Sequence, residues 1–596
     1  MQHTQCYIKD YPRPQFVRKE WHNLNGDWDF AFDDKNCGER EEWFCSGFPT
    51  GMKIRVPYSY QTSASGVERA ERHDNIWYRK EVLRPACSAD SRLILWFEGS
   101  DYITKVWVNG IYIGKHEGGY CRFCFDITDA ALKSTETYTL TVKCEDTYDA
   151  AQPRGKQKWM EKPYGCWYVE TNGIWKTVWT EVVSADRIGR MKFTPNKATY
   201  CVDFDAEITG DCRGLELVTQ VSREGRLVAE NTLVVVRDRF SYSIDLSDDQ
   251  AQFKIEWWSM AHPALYDLKF VLKRDGKVID EVGSYFGFRA FYAQKDTLVL
   301  NNGPTYLKMV LEQGYCRNSG MTYPDEESIV HELELIKKLG FNGVRMHQKI
   351  EDERFFYYAD ILGIATWVEM PSAYEYRDAT VDKATAEWQE IVHQHYNHPS
   401  VLAWVPINES WGVPRILNNC REQHFTQALY HLTKSYDPMR PVISNDGWEH
   451  TESDIITLHN YEQCPEIFGE FYRDLDKTLS GENISDYVQW RLPFAEGHGY
   501  RGQPVMITEF AGIGFDTEQT DGGWGYGSQV RTKEQFAERL SALVRAVREN
   551  KRICGFCVTQ ITDVEAEING LCNADRTPKA DMDAVSYTHL TLPTNS

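Results

Sequence analysis

Leu402-Ala-Trp-Val-Pro-Ile-Asn408-Glu409 and Val505-Met-Ile-Thr508-Glu509 are two short apolar runs, each closed by a glutamate. Continuous apolar stretches of this kind mark strands buried on both faces of a parallel sheet, whereas half-solvated strands alternate. In a (β/α)8 barrel the C-terminal ends of the strands carry the chemistry, so a carboxylate at that lip is placed to act. The two glutamates stand 100 residues apart, from 409 to 509. At roughly 30 residues per βα unit of a ~250-residue barrel, that is about three units. Glu409 and Glu509 are therefore expected to face each other across the barrel mouth, an arrangement suited to glycoside hydrolysis. A single strand-end glutamate is ordinarily just solvated; the pair at this spacing carries the reading.

Around these runs, residues 292–584 alternate strand-like segments with amphipathic helices, the pattern of a TIM barrel. Strands are expected at 307–312, 341–347, 364–370, 402–408, 441–445, 455–459, 505–509 and 554–560. Only residues 446–454 separate the fifth from the sixth, too few for a crossover helix, so the fifth unit should be irregular. A helix from Glu326 to Leu339 buries Ile329, Leu333 and Ile336 and stops at Gly340. Another runs from about Lys533 to Asn550. Residues 462–504, with Trp490, Phe494, His498 and Tyr500, read as an insertion able to cover the mouth.

Upstream, the chain reads as all-β. Residues 1–183 alternate aromatic and β-branched runs with turn signals such as Asn109-Gly110, which suggests a jelly-roll sandwich. Residues 184–291 continue in short strands, an immunoglobulin-like β-sandwich. The whole is a multidomain chain of two sandwiches and a barrel. The last stretch, 585–596, departs from this logic and resembles the in-frame translation of a sequencing adapter. It is set aside as such an artefact, and the native C-terminus is expected beyond about residue 584.

Composition narrows the function. The net charge of −22 disfavours nucleic acid and anionic membranes as partners. No apolar run approaches the ~20 residues of a membrane helix. No basic-then-apolar leader opens the chain, and sixteen cysteines are scattered without a framework, so a cytoplasmic enzyme is expected. Cys121-Arg-Phe-Cys124 and Cys554-Gly-Phe-Cys557 sit in strand-like runs most of the chain apart, which fits buried thiols better than a zinc or redox site. His393 and His395, two residues apart, do not share a helix face. No metal and no cofactor are expected.

Several segments together resemble glycoside hydrolase family 2, the β-galactosidases, β-glucuronidases and β-mannosidases. They are Trp77-Tyr-Arg79, Val106-Trp-Val-Asn-Gly110, Pro153-Arg-Gly-Lys-Gln157, Thr171-Asn-Gly-Ile-Trp175, Phe286-Gly-Phe-Arg289, Gly340-Phe-Asn-Gly-Val-Arg-Met-His347, Asn397-His-Pro-Ser400, Asn408-Glu-Ser410 and Thr508-Glu509. The resemblance covers nearly everything before the tail. It implies an exo-acting, retaining β-glycosidase with Glu409 as acid/base and Glu509 as nucleophile. The acid should have a raised pKa, and the nucleophile should be held ionised, with Arg345 as the candidate cation. Asn408 is expected on the sugar 2-hydroxyl and Tyr461 on Glu509. His347 is expected on a substrate hydroxyl, and Glu369 on sugar or on Arg345.

Two departures bear on the sugar. Family glucuronidases carry an Asn-x-Lys motif where this chain has Glu565-Ala-Glu-Ile-Asn569, and acidic residues there should repel a uronate. Gln560 stands where many relatives place a tryptophan under the sugar. A neutral β-hexoside, specifically a β-galactoside, is therefore the expected substrate. The alternatives are a β-glucuronide, β-mannoside or arabinoside, or a non-catalytic carbohydrate-binding protein on this scaffold. Relatives often form dimers or tetramers, so a homo-oligomer is one expected assembly.

Overall fold

The computed structural model describes residues 2–596 except 252–253, 484–487, 489–490, 519–521, 582, 584 and 586–596, and omits the side chains of 249 and 250. The adapter-like tail beyond Val585 and Trp490 of the insertion thus lie outside the described residues.

The period-2 pattern of the first domain folds as two packed antiparallel sheets. The larger runs in the order Met52–Val56, Gly26–Phe32, Asn75–Leu83, Thr137–Glu145, Ile103–Val108, Ile111–Glu117. The smaller runs Trp21–Asn23, Val178–Ser184, Ser91–Phe97, Phe123–Asp126. Inward residues of both, including Trp28, Phe30, Tyr78, Leu95, Val106 and Val142, make one core. A second sandwich follows. Its three strands Arg187–Asn196, Cys201–Thr209 and Arg239–Asp245 face four, Arg226–Val235, Leu215–Arg223, Tyr266–Arg274 and Lys277–Phe286. Phe193, Phe204, Leu217 and Phe270 are buried between them.

The barrel strands are β1 (Leu307–Glu312), β2 (Gly343–Met346), β3 (Ala365–Glu369), β4 (Val401–Val405), β5 (Ile456–His459), β6 (Val505–Glu509) and β7 (Ile553–Val558). All pair in parallel, in the order β4-β3-β2-β1-β7-β6-β5. The helices expected at 326–339 and 533–550 are α1 (Glu326–Lys338), capped by the Asp325 side chain, and the long Lys533–Glu549 helix, capped by Thr532.

The fifth barrel position differs from a regular strand. There, parallel bridges join Trp404 to Val442 and Asn408 to Asp446. On its other side the segment is tied to the approach of β5 by Asp454, whose N–H donates to Val442 O (2.9 Å) and whose Oδ2 accepts from Val442 N–H (2.9 Å). Nine residues cannot carry a helix over the sheet and back, so turn and side-chain bonds replace the ladder. The 462–504 insertion is helical in part, with Pro465–Arg473 and Leu475–Ser480. Phe494 is buried, and the chain there pairs with Glu449 and His450.

The domains are locked to the barrel by buried polar contacts. Arg289 donates to Pro399 O and Val401 O (both 2.6 Å), and His398 Nδ1 bonds Asp360 Oδ2 (2.6 Å), so the His398-Pro399 turn is structural. Phe291, Leu298 and Leu300 of a short hairpin join the barrel interior formed by Met309, Trp367, Leu402, Met506 and Cys557. The sixteen cysteines form no disulfide; Cys121 and Cys557 are buried as expected, whereas Cys124 is exposed and Cys554 half-buried.

Trp404 of β4 donates its indole N–H to Asp437 Oδ2 (2.8 Å), which also bonds Arg440 Nη1 (2.6 Å). Burial acts against the charge of Asp437, but Arg440 and the bonds win and lower its pKa to about 2. A carboxylate whose folded pKa lies below its unfolded 3.8 stabilises the fold above that value and loses the contribution as pH falls toward 2. Asp437→Asn is expected to destabilise the barrel at pH 7 by about 3 kcal/mol, because it strands a buried guanidinium. Thermal unfolding of both proteins from pH 7 to pH 3 should show that difference shrinking below about pH 4. A constant difference would contradict the assignment.

Candidate active site

The barrel strands bring their polar terminal residues to one lip. β2 supplies Arg345 and, just beyond it, His347; β3 ends in Glu369; β4 leads through Pro406 to Asn408 and Glu409. The irregular fifth segment ends in Asp446, β5 in His459 and β6 in Glu509, while Gln560 follows β7. Each is buried or nearly so because the apolar run before it is a core strand.

Arg345 is fully buried at the centre. It donates to Glu509 Oε1 (2.7 Å), Asn408 Oδ1 (2.7 Å) and Glu369 Oε2 (2.8 Å), with Asp446 Oδ2 2.7 Å from its Nε. The Tyr461 hydroxyl donates to the other oxygen of Glu509 at 2.5 Å. Burial opposes the charge on Glu509, but His459 and Arg345 outweigh it and the carboxyl sits below its ordinary pKa. Because Arg345 occupies the Asn408 oxygen, the amide nitrogen is left as a buried donor with no hydrogen-bond partner among the described residues.

His459 lies between Glu409 and Glu509. Its Nδ1 is 2.9 Å from Glu409 Oε1 and 3.6 Å from Glu509 Oε2, and its Nε2 is 3.7 Å from Asp446 Oδ2. Burial disfavours the imidazolium, yet three surrounding carboxylates raise its pKa to about 10. This corrects the expectation for Glu409. Burial does push that carboxyl up, but the bond and charge of His459, with Lys156 and Arg345, bring it below the ordinary value. Glu409 is thus lowered, not raised, and the ring beside it is raised. Glu409 and Ser410 both have left-handed backbones (φ 51° and 61°), held by Glu409 N–H to Asp446 O (2.9 Å) and Ser410 N–H to Asn445 Oδ1 (2.9 Å). Such conformations cost on the order of 1–3 kcal/mol each and persist where surrounding bonds determine them.

The other expected residues are also brought in. Burial raises Glu369 to about 8 even against Arg345. His347 Nδ1 is 3.1 Å from Glu369 Oε1, and burial, with the Lys156 and Arg345 charges, holds this imidazole far below its usual pKa. Gln560 accepts from Gln313 Nε2 (2.8 Å), and its own amide nitrogen has no hydrogen-bond partner among the described residues.

The sequence analysis missed what the first domain contributes. Arg154 and Gly155 donate backbone N–H groups to Ser372 O (3.0 and 3.1 Å), and Tyr374 OH bonds Gly155 O. Gly155 has φ 60°, and a β-carbon there would collide with Gln348 O, so only glycine lets this loop approach the lip. The same loop presents buried Lys156. Tyr168 OH donates to Glu567 Oε2 (2.5 Å), and Trp167 meets Trp411 edge to face at 5.2 Å between ring centroids. Asp446 was legible as the acid closing Val442-Ile-Ser-Asn-Asp446, and His459 was already present in the His-Asn-Tyr run. Lys156 stood within the Pro153-Arg-Gly-Lys-Gln157 segment that carries the resemblance, with no sign that it reaches the barrel.

A two-glutamate site at the lip of a (β/α)8 barrel, walled by a loop from an N-terminal β-sandwich, defines a carbohydrate-hydrolase class of architecture. The chain belongs to glycoside hydrolase family 2. The model for its TIM barrel domain matches residues 292–592, that for its sugar binding domain residues 21–152, and the family 2 model residues 187–289. A putative beta-glucuronidase of Formosa agariphila is 26% identical over 462 residues, 74% of this chain and 52% of that protein. A beta-galactosidase of Thermoanaerobacter pseudethanolicus is 23% identical over 492 residues, 80% and 61% of the two chains. The chain thus spans a little over half the length of these relatives. The crystal structure of Ruminococcus gnavus beta-glucuronidase shares the fold, with a TM-score of 0.78 at 18% identity over 98% of this chain and 100% of that one.

The imidazolium of His459 gives a direct check. In histidine NMR spectra, assigned by difference with a His459→Asn variant, His459 should stay protonated between about pH 7 and pH 9, given its pKa of about 10. In Glu509→Gln its midpoint should fall, because the largest favourable charge is removed. A wild-type midpoint near 6.5 would refute the charge arrangement.

Proposed function

We propose that this protein is a retaining β-glycosidase acting on β-hexuronides, with a β-glucuronide as the leading substrate. The observation that carries the catalytic reading is the carboxylate pair. An oxygen of Glu409, one of Glu509 and a nitrogen of His459 all lie within 4.8 Å of one another. That spacing suits a retaining pair, ~5–5.5 Å between carboxyl groups, and is too short for an inverting pair, which must admit a water.

In the first step Glu509 attacks the anomeric carbon, and the bond to the aglycone oxygen breaks as that oxygen takes a proton from Glu409. The proton reaches Glu409 Oε1 from His459 Nδ1, 2.9 Å away, when the leaving oxygen approaches. In the second step Glu409, now a base, takes a proton from water, the water oxygen bonds the anomeric carbon, Glu509 is released, and the proton on Glu409 returns to His459 Nδ1. Arg345 and Tyr461 keep the leaving Glu509 carboxylate anionic, and the free Asn408 amide N–H is available to the 2-hydroxyl.

The sugar reading replaces the expected β-galactoside. Relatives named beta-glucuronidase support it. The repulsion expected of Glu565 and Glu567 is weakened by how the two are held. Glu565 accepts from Val169 N–H (2.8 Å), and Glu567 accepts from Tyr168 and Asn569, with burial raising its pKa. A β-galactoside is the second reading, favoured by the beta-galactosidase relative and by Asn569 standing where a lysine would be.

Hydrolysis of 4-nitrophenyl β-glucuronide, β-galacturonide, β-galactoside and β-glucoside tests both. The uronides should be cleaved best. Glu509→Gln should reduce kcat by more than about a thousandfold, and Glu409→Gln by about 10²- to 10⁴-fold on poorly activated aglycones. Azide should rescue Glu409→Ala to the β-glycosyl azide and Glu509→Ala to the α-azide. A single anomer from both, or cleavage of the galactoside alone, would overturn the roles or the sugar respectively.

A further inference from the structure

We infer that Lys156, delivered by the first domain, is the residue that binds the carboxylate of the sugar beside the catalytic glutamates. The inference rests on the β-hexuronide reading and names its recognition element. Lys156 is 8% exposed, and its Nζ has one polar contact among the described residues, Cys166 Sγ at 3.3 Å. No carboxylate lies within ion-pair distance of it among the described residues. Burying an ammonium without a paired anion is costly, and the cost is relieved when an anionic ligand supplies the partner.

The other cations near the lip have no such vacancy. Arg345 is committed to Glu369, Asn408 and Glu509. Lys579, the nearest lysine in sequence to Glu565–Asn569, gives its ammonium to Phe515 O (2.8 Å), Asp563 Oδ1 (2.6 Å) and Ile568 O (2.9 Å). Lys156, in contrast, keeps protons to donate, and its loop is seated at the same mouth by Gly155 against Gln348, by Tyr374 OH on Gly155 O and by Trp167 against Trp411, two residues past Glu409. Its backbone is held on both sides. Gly155 is packed against Ser372 and Gln348, while Lys156 O accepts from Tyr168 N–H (2.8 Å) and Lys158 N–H donates to Tyr168 O (2.8 Å). The ammonium is therefore presented at a fixed place, as recognition of one ring substituent requires.

The test compares wild type, Lys156→Met and Lys156→Arg on 4-nitrophenyl β-glucuronide and on its uncharged glucuronamide, which share one aglycone. Wild type should prefer the charged sugar by at least about tenfold in kcat/KM. Lys156→Met should lose about a hundredfold on the glucuronide, as expected when one partner of a buried charge pair is removed, while the amide changes less than about threefold. Lys156→Arg should keep most of the preference. An equal loss on both substrates would make Lys156 a structural residue, and an unchanged preference would dismiss it; either overturns the assignment. Should melting curves show that Lys156→Met does not fold, the wild-type preference and Lys156→Arg decide, and a wild type indifferent to the charge refutes the proposal. Wild type that cleaves no uronide overturns the substrate reading together with this one, whereas uronide cleavage untouched by Lys156→Met overturns the lysine alone.

Discussion

Everything at the barrel lip is organised by one buried guanidinium. Arg345 points its fork at Glu369, Asn408 and Glu509, with Asp446 beside it, inside a ring of strands with no water-facing side. An isolated charge in that position would be prohibitive, and so would each acid without the arginine. Arginine suits the place because its planar donors bond several acceptors at once, while a lysine offers only a point charge. The arrangement fixes the rotamer of the nucleophile and the orientation of the Asn408 amide in a single step.

His459 completes the electrostatics. With Glu409, Glu509 and Asp446 all turned toward it, the imidazole is held as a cation, and this lowers both catalytic carboxyls despite their burial. The lowering of Glu409 is thus set across a 2.9 Å contact with this ring. The two groups titrate as a pair, so a kinetic pKa would belong to the couple and not to either residue.

The sandwich domains do more than decorate the barrel. The second is tied down through Arg289 and Tyr285, which bond Pro399 O, Val401 O and Asp360. The first reaches the chemistry itself: its 153–168 loop sets Lys156, Trp167 and Tyr168 against Tyr374, Trp411 and Glu567. The site is thus built from two domains, its glutamates from the barrel and part of its wall from the first sandwich.

Local sequence determined the parts whose signal is local. Apolar runs bounded by turns located the barrel strands to within a few residues, and the polar residue closing each run pointed to Arg345, Glu369, Glu409 and Glu509. The irregular fifth unit was legible too, because a nine-residue connection excludes a helix. Only the tertiary structure decided the protonation order of Glu409 and His459, since it depends on three carboxylates from three strands converging on one ring. Only it decided where Lys156 lies, in a β-sandwich loop that the fold packs against Tyr374 and Trp411, more than 200 positions away in the chain. Strand patterns are written in neighbouring residues, whereas electrostatic balance is a sum over whatever the fold brings within a few ångströms.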